Sequence, residues 1–212
     1  MKKYFALAMV GMLALATETM AATQAVNTAT VAATLQISAT VQKAVSLTLS
    51  TGTTGGISHC AVNAGAGPPD YTMDFGTVDA LGINAGNCNK FGPTVPGTDN
   101  AIYWSDYTVT PIFTSHTVFA GTTVSAQVTT DFAAPHNIFV VRSSTATSST
   151  TPVGLASFAA LSTGSADTIS AAGTTSGTAL TRFIGVAVTP ANGVTVLQGA
   201  QSATVTFTLT VQ

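Results

Sequence analysis

The side chains with the clearest capacity for chemistry are two cysteines, three histidines and seven aspartates. Cys60 and Cys88 are the only thiols, and in an exported chain an even pair favours a disulfide. Closing a loop of that span would stabilise the fold by about 3–4 kcal/mol in the chain-entropy treatment. His59, His116 and His136 show neither a helical i, i+4 spacing nor a close Cys/His spacing, so they read as isolated or surface side chains. Asp70, Asp74, Asp79, Asp99 and Asp106 fall in one irregular region, where oxygen ligands could ring a calcium ion. They lack the Asp-x-Asp-x-Asp-Gly order of a calcium loop, which favours aspartate as a turn former. There is no Gly-x-Ser-x-Gly motif and no glycine-rich phosphate loop ahead of a helix. Serine is so abundant that a Ser-His-Asp triad would carry no signature. No catalytic residue, metal ligand or cofactor is therefore assigned, and the chain reads as a non-enzyme. Trp104, with Tyr103 and Tyr107, could stack a sugar, but the alternation around them argues that some of these rings are core.

The elements that would carry these residues are strands. Charged residues make up only 7% of the chain, and Glu18 is the single glutamate. Thr, Ser, Ala, Gly and Val dominate, so β-branched residues abound while the usual helix formers are scarce. Beyond residue 22 the only bases are Lys43, Lys90, Arg142 and Arg182, which excludes a basic patch for nucleic acid. Apolar patterning predicts strands over 45–49, 57–62, 71–78, 101–113, 117–130 with a turn at Ala120–Gly121, 137–142 as a continuous apolar run, 181–189, 193–197 and 203–211. Residues 181–189 are apolar or small on both phases, so both faces are expected to be buried. Residues 79–97 are rich in Gly, Asn and Pro and read as a long ordered loop held by Cys88. Residues 143–151 read as a solvated Ser/Thr loop. Many short strands with turns between them, a cysteine pair and unequal loops predict an all-β, immunoglobulin-like antiparallel β-sandwich.

The N-terminus divides the chain. Lys2 and Lys3, an apolar core over 4–16 and small residues at Ala21 and Ala22 form a signal peptide, 1–22, so a secreted, extracellular chain is expected. Residues 23–41 follow as an extension, and 42–212 as the sandwich domain. Within the extension every odd position from Ala29 to Val41 is apolar, while Thr30, Ala32, Thr34, Gln36, Ser38 and Thr40 occupy even positions. This is a strand with one sticky face at a terminus, where segments fray unless tied down. It needs a partner in its own chain or in a neighbour.

The run Ala33-Thr34-Leu35-Gln36-Ile37-Ser38-Ala39-Thr40-Val41 resembles the N-terminal extension of pilins in the spore-coat-protein-U group, which includes archaic chaperone–usher pilins. Cys60-Ala61-Val62, followed by Met73-Asp74-Phe75-Gly76-Thr77-Val78-Asp79, is similar to that group's Cys-x-Val and Phe-Gly-Thr pattern. Ala203 to Leu209 looks like its last strand. The resemblance implies a filament subunit assembled by donor-strand exchange. Val31, Ala33, Leu35, Ile37 and Ala39 of one subunit would fill the missing strand of the next. Phe75 would sit in the core and Gly76 where crowding excludes a Cβ. The partners it implies are copies of the same subunit, with a periplasmic chaperone and an outer-membrane usher in assembly. The competing reading is a monomeric secreted β-sandwich that binds carbohydrate or another surface ligand.

Overall fold

The protein is described from a computed structural model, which covers residues 36, 38, 39, 44–114, 122–170, 174–190 and 198–211. The chain divides after Gln42, and every element below lies in Lys43–Gln212. Among the described residues the fold is all-β, with eleven strands, antiparallel pairing throughout and one 3-10 turn at Leu155–Ser157. The strands are β1 (Val45–Thr51), β2 (Val62–Ala64), β3 (Tyr71–Met73), β4 (Asn89–Phe91), β5 (Ala101–Phe113) and β6 (Thr123–Thr130). They continue with β7 (Ile138–Ser143), β8 (Phe158–Ala160), β9 (Asp167–Thr168), β10 (Leu180–Val188) and β11 (Thr204–Thr210).

β5 organises the larger sheet, whose order is β1-β5-β10-β7-β8 with β4 also on β5. β10 pairs one edge of β5 from Val188↔Ala101 to Leu180↔Val109. β1 and β4 share the other edge, β1 opposite 107–113 and β4 opposite 102–104. Pro111 falls beyond the reach of β10, where a missing N–H removes no ladder bond on that side. β11-β6-β9 form a three-stranded sheet, and β2-β3 a short hairpin.

Alternation sends the two faces of β5 into two cores. Tyr103, Tyr107 and Val109 join Val124, Ala126 and Val128 of β6 and Val140, Val186 and Val188 of the large sheet. Ile102 and Trp104 join Val141, Phe183 and Ala187 on the opposite face, under Phe91 and Phe158. The Trp104 ring stacks on Phe91 at 5.4 Å and meets Phe183 edge-on at 5.9 Å. Both faces of β10 are thus covered. Arg182, buried on β10, donates to the carbonyls of Ile169 and Thr181, tying the large sheet to the segment after β9.

Three expectations change. The strand expected over 57–62 is β2, which begins only at Val62. Before it the backbone bonds to side chains instead of a ladder: Ser58 N–H to Asn89 Oδ1 at 3.0 Å and Cys60 N–H to Ser105 Oγ at 2.9 Å. The strand expected over 71–78 stops at Met73, because the Asp74 carboxylate accepts the Gly76 N–H and turns the chain. Within 79–97 a three-residue strand, β4, interrupts the loop. The strand expected over 193–197 lies outside the described residues.

Cys60 and Cys88 are joined, with Cα atoms 5.2 Å apart and a separation of 28 positions in sequence. The bond anchors the segment before β2 to the strand edge at β4. Replacing both cysteines by alanine should lower unfolding free energy by about 3–4 kcal/mol. Urea unfolding of the variant against the oxidised parent would measure it, with the midpoint falling and the slope rising as the unfolded chain loses its cross-link.

Candidate functional site

An open groove of about 1370 Å³ lies against the main core. Its floor is the core face of the large sheet, including Tyr107, Val140 and Val186. Leu47 and Leu49 of β1 and Met73 of β3 line it, as do Val205 and Phe207 of β11. These five wall residues are only half-buried, although they sit on the inward phase of their strands. Tyr107 on the floor meets Phe207 edge-on at 5.5 Å. β11 pairs with β6 along one edge, and among the described residues no strand pairs the other. β1 likewise pairs only with β5. The site therefore combines an apolar trough with two open strand edges, which can accept both side chains and ladder hydrogen bonds.

A rigid loop closes onto the groove at Val78–Ala80. The Asp79 carboxylate accepts N–H groups from Leu81 at 2.8 Å, Ile83 at 3.1 Å and Asn84 at 2.7 Å. The Tyr103 hydroxyl donates to the same carboxylate at 3.2 Å. Lys90 Nζ then donates to the carbonyls of Gly82 at 2.7 Å, Asn84 at 2.9 Å and Ile83 at 3.3 Å. One carboxylate and one ammonium thus satisfy both kinds of backbone group in the same short segment. Burial by itself would raise the Asp79 pKa, but the three N–H groups and the phenol together hold it below the ordinary value.

Asp106 is wholly buried at the gap between β1 and β4 along β5. It pairs with His59 Nδ1 at 2.6 Å and accepts the Thr54 N–H at 2.8 Å. Its carboxyl occupies the space where a Cβ on residue 52 would stand, so glycine is required there. His59 is thus not the isolated side chain that its spacing suggested. Its partner lies 47 residues away, beyond the reach of any local motif.

Phe75 is half-buried against the main core and lines the groove. Gly76 has φ +72°, and a Cβ there would stand 2.5 Å from Asn87 Oδ1, so both backbone and space favour glycine. Tyr103, Trp104 and Tyr107 are buried. Asp74, Asp79 and Asp99 accept N–H groups of their own turns. Val31, Ala33, Leu35 and Ile37 lie outside the described residues; Ala39 is exposed and outside any strand.

No family model, curated protein or solved structure matches this chain. The groove is therefore interpreted from its own geometry.

Half-burial sets the worth of Phe75. Phe75→Ala should cost about 1–2 kcal/mol in the isolated chain, below the about 3–5 kcal/mol of a fully enclosed ring. Thermal unfolding would read this as a fall in midpoint of several degrees.

Acid should weaken the loop in a defined sense. Asp79 and Asp167 both have depressed pKa values, Asp167 through the Arg142 guanidinium at 2.9 Å, which outweighs burial. The stabilisation from a depressed aspartate is complete above its ordinary value of 3.8 and is lost as pH falls through the lower folded value. Urea midpoints from pH 6 down to about pH 2 should fall in that acid window. The doubly substituted Asp79→Asn, Asp167→Asn chain should start less stable and show a flatter acid limb.

Proposed function

We propose that this chain is a structural subunit of an extracellular filament, an incomplete immunoglobulin-like sandwich joined head to tail by strand donation. The observation that carries the reading is the groove with its unpaired β11 and β1 edges and half-wet inward side chains. The occupant is the segment from Ala29 to Val41 of a second copy. It alternates with period two, so Val31, Leu35 and Ile37 can enter the trough while Thr30, Thr34 and Ser38 stay outside. Thirteen extended residues reach roughly 43 Å, more than the length of a β1-sized or β11-sized edge.

The local sequence favours donation to a neighbour over folding back. A hairpin onto β1 would have to turn within Gln42-Lys43-Ala44, which contains none of the Gly, Asn, Asp or Pro residues that tight turns require. Burying Val31, Leu35, Ile37 and the flanking alanines contributes roughly 6–10 kcal/mol before ordering costs. Donation of this kind is a heterologous contact, which extends into an open fibre. The low charge content fits a surface largely covered in an assembly.

Ile37→Asp tests this reading. It would place a carboxylate in an apolar trough without a partner, costing several kcal/mol in the assembled state. Filaments should disappear from negative-stain images, while the monomer keeps its β-rich circular dichroism and its melting temperature. Intact filaments, or an unfolded monomer, would instead favour a self-contained sandwich.

A further inference from the structure

A second concavity, of about 390 Å³, lies on the other face of the large sheet from the groove. Its origin is the side-chain order on β10. Gly185 and Ala187 are consecutive on that face, at the centre of the sheet, with bulky residues on both neighbours. In one cross-strand row Gly185 stands between Trp104 and Val141, and in the next Ala187 stands between Ile102 and Phe139. The row over Gly185 is filled, since a Cβ there would come within 3.0 Å of the Trp104 Cβ. The row over Ala187 is left open as the cavity.

The lining is mostly apolar, with a polar group of Thr98, Asp99 and Asn100. Ile102, Val141 and Ala187 form its floor, and the Phe139 and Phe158 rings belong to its walls. Phe139 is 40% exposed, although it stands on a strand bonded to β10 at the middle of the sheet. Asp99 and Asn100 line one end. Asp99 is fixed by its own turn, with one carboxylate oxygen accepting the Val95 N–H at 2.8 Å and the Asp99 N–H returning to the Val95 carbonyl at 2.9 Å. Its second carboxylate oxygen and the Asn100 amide have no partner among the described residues. No cationic side chain lines the cavity, so anionic ligands have nothing to pair with.

We propose that this cavity is a binding subsite for a neutral saccharide of one or two rings. An aromatic flank suits the C–H face of a pyranose, while a fixed carboxylate and a free amide suit adjacent hydroxyls. The volume lies at the small end of ligand cavities, which is the size such a sugar needs. The site does not depend on the filament reading, because the groove uses the opposite face of β10.

Saturation-transfer NMR on the whole secreted chain tests this. The probes are the methyl glycosides of glucose, galactose, mannose and N-acetylglucosamine, with choline as a counter-probe for an aromatic cation site. At least one glycoside should receive saturation at its ring protons, and choline should not. Ala187→Leu fills the cavity without removing a polar group and should abolish the transfer. Asn100→Leu, at the half-buried rim, should weaken binding about tenfold. Thermal melts of both variants confirm folding. Absence of transfer from every glycoside, transfer that survives Ala187→Leu in a folded chain, or preferential saturation of choline would each overturn the assignment.

Discussion

Everything in the domain is arranged around the need to cover β5 on four sides. Residues 101–107 are all buried, so neither face may meet water and neither edge may keep unpaired backbone groups. β10 satisfies one edge over nine residues. The other is shared by β1 and β4, which leaves a gap opposite Ser105 and Asp106. Side chains rather than a ladder fill this gap. The Ser105 hydroxyl takes the Cys60 N–H, and the Asp106 carboxylate takes the Thr54 N–H and His59. A buried carboxylate with hydrogen bonds from two segments costs much to break, because removing one partner leaves charge without compensation. The disulfide at Cys60 stands beside this junction, so covalent and polar restraints hold the same crossing.

The groove is the complementary consequence. The three-stranded sheet covers the core face of β5 only in part. Val205, Phe207 and Leu209 of β11 point inward by alternation, yet remain half-exposed. A completed sandwich would bury both inner faces along their whole length. What is left among the described residues is a partly exposed apolar inner surface, flanked by two strand edges of the kind that natural proteins usually protect. The Asp79–Lys90 loop stiffens one part of this boundary before anything binds, which lowers the ordering cost of occupancy.

Long, strictly patterned strands were legible in the sequence. β5 matches its expected bounds, and β7, β10 and β11 lie within a residue or two of theirs, because each carries either an alternating or a continuous apolar pattern over about six residues or more. β2, β3, β4, β8 and β9 have three residues or fewer, too few for a period to register; the strands expected over 57–62 and 71–78 are longer than β2 and β3, and β4 lies in an expected loop. The cysteine pair was legible because two thiols allow one pairing. The Asp106–His59 contact and the outer cavity were not, since both arise from register between distant segments. Gly185 and Ala187 show as small residues in sequence, but only their neighbours Trp104 and Phe139 decide that one row is full and the next is open. The turn role of Asp74, Asp79 and Asp99 was accessible, since short carboxylates bond N–H groups a few residues on.

Occupancy of the groove would also change the energetics of the whole domain. A ligand that binds the folded state alone raises its stability by an amount that grows with the logarithm of ligand concentration over Kd. In a fibre the ligand is a tethered strand, so each subunit would be most stable when filled and least stable when newly exported and empty. Restraints that act without an occupant are therefore needed in the empty state. The disulfide lowers the entropy of the unfolded chain whatever fills the groove. The Asp106 junction and the Arg182 bonds between layers are equally independent of it, because none of Asp106, His59 or Arg182 lines the trough. The fold thus separates the contacts that maintain the subunit from those that would join it to the next, and this lets an edge stay open without the domain losing its core.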